Sequence, residues 1–191
     1  MGIWSSFAAL LDYPTADLPC CLDRCLADVV GSKRAEAADP FAVAGTMAAL
    51  LRFREEIRQL GLTRLEESYT AAFDMDAGCT LYAGHHLFGE TEHRSAFMAR
   101  LADIYRIANV TNPVRDLPDF LPTMLRFVDH LPASDEDRLT LVDEAIVPAA
   151  RAITEALERR HGPYTHAMRA LLTLLEPGSP ATASCTEGAT S

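Results

Sequence analysis

Apolar residues recur at three- and four-residue steps along most of the chain, and no segment alternates between apolar and polar residues at a period of two. The first spacing marks one face of an α-helix, whereas the second would mark a half-buried strand. Leucine and alanine are abundant and glycine is sparse, which also favours helix. The sequence therefore predicts an all-α fold, a single-domain multi-helix bundle of eight or nine helices.

Proline, glycine and capping patterns set the expected limits of these helices. The first helix should stop at Tyr13-Pro14, because proline disfavours helix in the residue before it. Thr63 and Glu66 have the spacing of a capping box and predict a helix start. Pro148 should kink or split a long helix, since it lacks a backbone N–H. The predicted helices cover about 3–11, 16–30, 41–60, 63–73, 97–108, 119–131, 136–159 and 164–175.

The C-terminal residues differ in composition from the rest of the chain. After Pro177 they are mostly glycine, serine, proline, alanine and threonine, which cannot build a packed core. We therefore expect a helical domain over residues 1–175 and a disordered tail over residues 176–191.

The charge balance and the apolar runs bear on partners and location. The formal net charge is -10, which argues against nucleic acid as a partner because phosphates require clustered lysine and arginine. It is compatible with a cationic peptide. No apolar stretch approaches the ~20 residues that span a bilayer, and no lysine or arginine precedes the short apolar run at the N-terminus. We expect a cytoplasmic protein without stable membrane insertion.

Histidines and cysteines are the first candidates for chemistry. His85 and His86 are adjacent and point about 100° apart on a helix, so they are poorly placed to bind one metal ion together. Cys21 and Cys25 have i, i+4 spacing, with Cys20 beside them, but two thiolates do not complete a tetrahedral zinc site. We predict no metal and no cofactor. A metal- or haem-binding helical protein that uses these residues and His93 remains the alternative.

Enzyme signatures are missing from the chain. It has no Gly-x-Ser-x-Gly, no phosphate-binding loop, no dinucleotide fingerprint and no His-Glu-x-x-His, which are motifs with known catalytic or binding mechanics. We therefore predict that the protein is not an enzyme.

Two segments combine aromatic and acidic residues at expected helix ends and loops, where polar groups stay accessible. They are residues 67–90 and 116–122. Carboxylates beside apolar surface suit an amphipathic cationic peptide that lies in a groove. The alternative is that Asp74, Asp116 and Asp119 simply cap helices.

These segments carry a resemblance to a known family. Tyr69 with Phe73-Asp74, then Leu81-Tyr82 with His86-Leu87-Phe88-Gly89, and then residues 116–122 resemble, in order and spacing, the nitrate reductase molybdenum-cofactor assembly chaperones, the NarJ or delta-subunit family. The resemblance covers roughly residues 7–175. Two features depart from the family: Asp116 replaces the usual glutamate, and Gly84-His85 replaces bulkier residues.

The resemblance implies the helical fold of the redox-enzyme maturation chaperones and a client-specific chaperone function. The client would be the catalytic subunit of a respiratory molybdoenzyme such as nitrate reductase, bound through its N-terminal peptide and held for molybdenum cofactor insertion before membrane docking. A perchlorate, selenate or related reductase stays open as the client, and we expect a monomer or weak dimer. The implied client-binding residues are Tyr69, Phe73, Asp74, Tyr82, His86, Asp116, Pro118, Asp119 and Phe120. Charge reversal at Asp74 or Asp119 should then weaken client binding and leave the fold intact.

Overall fold

Ten α-helices make up most of the chain in a computed structural model that describes residues 2–31, 40–110 and 117–176. Within those ranges there is no β-strand, and the one antiparallel bridge joins Tyr82 to Phe120. The predicted all-α bundle is therefore confirmed. The helices are α1 (Ile3–Leu11), α2 (Leu18–Gly31), α3 (Pro40–Leu60), α4 (Leu62–Tyr69), α5 (Ala83–Phe88), α6 (Glu92–Ile107), α7 (Leu121–His130), α8 (Glu136–Leu141), α9 (Val147–Glu158) and α10 (Pro163–Leu175).

The core forms where α3 lies along α10 and where α1 packs between α2 and α7. Small residues let α3 and α10 approach closely: a Cβ atom built on Gly45 would lie 3.3 Å from Cγ2 of Thr173. At the same contact the Thr46 hydroxyl donates to the carbonyl oxygen of Ala170 at 3.4 Å. Helix α1 begins and ends at the predicted residues and buries most of its side chains, because it is apolar nearly all round.

The start of α4 differs from the prediction. The capping box at Thr63 and Glu66 is wrong, since the helix begins at Leu62 and no side chain caps it. Gly61 precedes it with φ at +71°, a left-handed conformation that glycine adopts without steric cost. Helix α4 therefore begins directly after a glycine in this conformation, without a threonine cap.

At Pro148 the predicted long helix consists of two α-helical parts joined by a π-helical turn. Helix α8 leads into a π-helical turn, Val142–Ile146, and α9 follows with the proline in its first turn. The N–H of Val147 donates to the carbonyl oxygen of Val142, five residues back. This wider turn lets the helix continue past a residue that cannot donate to the residue four before it.

Two further expectations concern membrane insertion and the C-terminal tail. No helix in the described ranges is both long and apolar enough to cross a membrane. The predicted tail lies outside the described residues except for Glu176, whose carboxylate pairs with Arg151 of α9. The tail itself stays a prediction.

Candidate functional site

The two aromatic and acidic segments of the sequence meet in the structure. The N–H of Ala83 donates to the carbonyl oxygen of Asp119 at 2.8 Å, and the N–H of Leu121 donates to that of Leu81 at 2.8 Å. Between these bonds Tyr82 and Phe120 form the antiparallel bridge, with ring centroids 5.4 Å apart. Residues 81–83 and 119–121 are thus held side by side, just before α5 and α7.

A buried ion pair lies beneath this pairing. Nε of Arg94, in α6, donates to Oδ2 of Asp119 at 2.9 Å, and the Asp119 side chain is fully buried. The second guanidinium nitrogen, Nη1, binds the exposed carboxylate of Glu90. Gly84 makes room for the pair, because a Cβ atom there would lie 2.7 Å from Asp119 Oδ2. The glycine that departs from the family pattern therefore has a steric role.

These contacts correct two expectations about Asp119. It does not cap a helix, since the N-cap of α7 is Phe120 and no side chain caps that end. Nor is it an accessible carboxylate, because it is enclosed with Arg94. A buried charge needs a partner, which Arg94 supplies. Direct contact between Asp119 and a client would require this pair to open.

Arg94, the partner of the buried Asp119, is a residue that sequence reasoning missed. It lies four, seven and eleven residues before Met98, Leu101 and Tyr105, on the predicted apolar stripe of α6. An arginine on an otherwise apolar helical face signals a buried carboxylate elsewhere in the chain. The apolar stripe alone does not identify the carboxylate that pairs with Arg94.

Part of the paired region remains exposed, and we call it the paired-segment surface. It consists of Tyr82, Leu117, Pro118 and Phe120, which are half-buried except for Leu117, which is exposed. The Tyr105 hydroxyl fixes it from below by donating to the carbonyl oxygen of Pro118 at 2.9 Å. The Arg94 guanidinium lies 5.8 Å from the Tyr82 ring centre, within cation–π distance. The surface is apolar and aromatic, and the backbone pairing and the Tyr105 hydrogen bond hold it in place.

His86 is anchored next to this surface and half-buried. Its Nε2 lies 2.7 Å from the carbonyl oxygen of Thr80. Burial lowers the pKa of His86 from its ordinary value of 6.5, more than the Thr80 contact raises it. The neighbouring His85 faces another group, with Nδ1 3.0 Å from the Glu90 carboxylate.

Among the residues that the structure describes, no three histidine, cysteine, aspartate or glutamate side chains cluster as a metal site.

The lowered pKa of His86 predicts a pH dependence of stability. As the pH is lowered through 6.5, His86 in the unfolded chain binds a proton more readily than His86 in the folded chain. The free energy of unfolding should therefore decrease as the pH is lowered. We expect the loss between pH 7.5 and pH 5.5 to be smaller in His86→Gln than in the wild type. Chemical denaturation of both proteins at both pH values measures it. An equal loss in the two proteins would contradict the assignment to His86.

Tyr69 and Phe73 lie apart from the paired-segment surface, inside an aromatic cluster. The Tyr69 ring centroid is 5.0 Å from that of Phe73 and 5.4 Å from that of Tyr164 in α10. The Tyr69 hydroxyl donates to the carbonyl oxygen of Leu11 at 3.0 Å. Both predicted client-binding residues are buried in the structure. They are buried because α10 and the residues after α1 cover that face of α4.

The two remaining acidic residues have different outcomes. Asp74 ends a π-helical turn, Thr70–Asp74, and is exposed, so it caps no helix start and can reach a partner. Asp116 lies outside the described residues. Whether any of the predicted residues binds a client stays a prediction.

Comparisons with known proteins agree on one family. Residues 36–170 match the family model described as nitrate reductase delta subunit. The chain is 29% identical over 169 residues to the nitrate reductase-like protein NarX of Mycobacterium tuberculosis, covering 88% of this chain and 24% of that protein. It is 27% identical over 127 residues to the probable nitrate reductase molybdenum cofactor assembly chaperone NarJ of Bacillus subtilis, covering 66% of this chain and 67% of that one. The chain thus spans about a quarter of the length of its mycobacterial relative.

Proposed function

Because the chain belongs to the nitrate reductase delta subunit family, we propose that it is an assembly chaperone for the catalytic subunit of a respiratory nitrate reductase. It binds that subunit through its N-terminal peptide, in the cytoplasm, and keeps it competent for molybdenum cofactor insertion before membrane docking. The observation that carries the proposal is the family match over residues 36–170. The name of the Bacillus relative supports the same role.

Part of this binding takes place at the paired-segment surface. Aromatic side chains are enriched in protein interfaces, where they bury a large area at a small cost in conformational entropy. Here Tyr82 and Phe120 are held in place by backbone pairing and by the bond from Tyr105 to Pro118. A preformed surface loses little freedom when a client binds.

Binding of the catalytic subunit tests the proposal directly. We expect the purified chain to bind that subunit, and a synthetic peptide of its N-terminus, in isothermal titration calorimetry, and not to bind the same peptide with its residues scrambled. Molybdenum content of the subunit purified with and without the chaperone tests the role in cofactor insertion. A chain without affinity for either subunit or peptide would refute the proposal.

Asp74 offers a charge test with a matched control. Asp74→Lys should weaken binding of a basic N-terminal peptide several-fold at low salt, because it replaces attraction with repulsion at an exposed position. Asp143 is also an exposed aspartate in a π-helical turn, Val142–Ile146, so Asp143→Lys makes the same charge change elsewhere. Both variants should keep wild-type stability, since exposed substitutions usually change it by about 0.5 kcal/mol or less. Equal weakening by the two would mean that only net charge matters.

A further inference from the structure

Glu90, an exposed residue, is linked to the buried carboxylate beneath the paired-segment surface through one arginine. The Glu90 carboxylate binds Arg94 of α6, and Arg94 in turn binds Asp119. The exposed fraction of the side chain falls from 71% at Glu90 to 10% at Arg94 and 0% at Asp119. The three residues therefore connect the solvent to the core at the place where residues 81–83 pair with residues 119–121.

The Arg94 guanidinium is divided between the two carboxylates. Its Nε donates to Oδ2 of Asp119 at 2.9 Å, whereas its Nη1 donates to Oε1 of Glu90. An arginine often gives one carboxylate two parallel bonds, which fix both groups. Here Oδ1 of Asp119 is buried and has no hydrogen-bond partner among the residues that the structure describes, so the pair has a single bond. Because a guanidinium held by one bond can turn, its orientation depends on the second bond, to Glu90.

Glu90 is itself held in place by the turn that joins α5 to α6. Gly89 precedes it with φ at +62° and donates its N–H to the carbonyl oxygen of His85 at 2.8 Å. Oε1 of Glu90 lies 3.0 Å from Nδ1 of His85, and an ionised carboxylate can only accept. The His85 contact, together with the charge of Arg94, lowers the pKa of Glu90 below its ordinary value. Glu90 therefore stays ionised within reach of Arg94.

Asp119 passes this constraint on to the paired segments. Its backbone carbonyl oxygen accepts from the N–H of Ala83 at 2.8 Å, next to the bridge between Tyr82 and Phe120. The residue that holds Arg94 with its side chain therefore holds the pairing with its backbone. A guanidinium that turns away from Asp119 would loosen the backbone that positions both aromatic rings.

We propose that Glu90 is a positioning residue for client binding, which holds the paired-segment surface in its binding conformation through Arg94 and Asp119. The inference rests on the proposed function. Exposed ion pairs usually contribute little to stability. The pair of Glu90 with Arg94 differs from them because its cation is nearly enclosed and is bound to a buried carboxylate.

Glu90→Ala tests this role, with Glu55→Ala as the matched control. Glu55 of α3 is also an exposed glutamate whose Oε1 accepts from two side chains, those of Arg58 and Gln59. Its arginine, however, is 74% exposed. The two substitutions therefore remove similar contacts, and only the first one removes a contact to an enclosed arginine.

Native-state hydrogen exchange of two amides reports on the pairing without a client. The N–H groups of Ala83 and Leu121 donate across the paired segments. We expect Glu90→Ala to speed their exchange about tenfold, because local opening becomes easier, and to leave the amides of residues 168–172 in α10 unchanged. Glu55→Ala should leave both sets at wild-type rates. Glu90→Gln, which keeps an acceptor oxygen, should restore most of the protection.

Binding of a synthetic N-terminal peptide of the catalytic subunit is the second readout. We expect its Kd to rise several-fold in Glu90→Ala and to stay at the wild-type value in Glu55→Ala, because a loosened surface must be ordered again on binding. Wild-type exchange at Ala83 and Leu121 in Glu90→Ala would overturn the positioning role. If exchange is unchanged and binding is weaker, Glu90 contacts the client directly.

The remaining outcomes separate the positioning role from the proposed function. Faster exchange in Glu90→Ala with wild-type peptide affinity would show that the pairing is loosened without effect on binding, which overturns the positioning role and leaves the proposed function standing. A wild-type chain that binds neither the peptide nor the subunit would overturn the proposed function and, with it, any role of Glu90 in client binding.

Discussion

Asp119→Ala is expected to lower the free energy of unfolding by about 3–5 kcal/mol, because it breaks a buried ion pair and leaves one charge behind. Asp119 is fully buried, and its Oδ2 accepts from Arg94 Nε at 2.9 Å. Without it, the ion-pair partner that Arg94 keeps is the exposed carboxylate of Glu90. The pairing of residues 81–83 with 119–121 loses one of the contacts that tie it to α6. Urea denaturation followed by circular dichroism measures the loss.

A double-mutant cycle shows whether the pair itself causes this loss. If it does, Asp119→Ala and Arg94→Ala together should cost clearly less than the sum of their separate effects, because the two residues interact. Asp74→Lys, at an exposed position, serves as the control and should leave the unfolding curve nearly unchanged. An Asp119→Ala protein of wild-type stability that fails to bind the client would instead favour direct contact by Asp119.

The burial of Asp119 shows where sequence reasoning stops. An aspartate just before a helix has the same local pattern whether it caps that helix or pairs with a distant arginine. Here the choice depends on Arg94, 25 residues away, and on the space that Gly84 leaves beside the carboxylate. Both residues are visible in the sequence, but only the fold brings them to Asp119.

Local sequence patterns predict the helices more reliably than they predict the candidate functional site. The apolar spacing predicts the stripe of α6, and its members Leu101 and Tyr105 are buried, because a helical period is a property of neighbouring residues. The π-helical turn before Pro148 likewise follows from one missing N–H. The cavity between α2, α3, α4 and the turn that joins α1 to α2 has no such signal, since its walls come from three helices and a turn. Its existence depends on how those elements pack.

The family motif combines residues with different physical situations. Tyr82, Pro118 and Phe120 are partly exposed, whereas Tyr69, Phe73 and Asp119 are buried. A motif marks positions where the residue type matters, and both an interface and a core impose that requirement. The predicted client-binding set therefore contains residues that support the surface as well as residues that can form it.

Tyr69→Ala should cost about 3–5 kcal/mol of stability, the usual loss when a large buried aromatic side chain is removed. The Tyr69 ring touches three other aromatic rings, those of Tyr13, Phe73 and Tyr164, with centroids 5.0–5.4 Å away. Its removal leaves a cavity between α4, α10 and the residues after α1. Chemical denaturation measures the loss.

The conservative change separates a supporting role from direct contact. Tyr69→Phe keeps the ring and removes the hydrogen bond to the Leu11 carbonyl oxygen, which should cost about 1 kcal/mol. If Tyr69 supports the site from within the core, client affinity should follow stability. Affinity should then be nearly normal in Tyr69→Phe and reduced in Tyr69→Ala. A stabilising osmolyte that refolds Tyr69→Ala should restore its affinity. If Tyr69→Ala loses affinity while its unfolding curve stays that of the wild type, Tyr69 contacts the client directly. That result would require the cover formed by Tyr13 to move aside on binding.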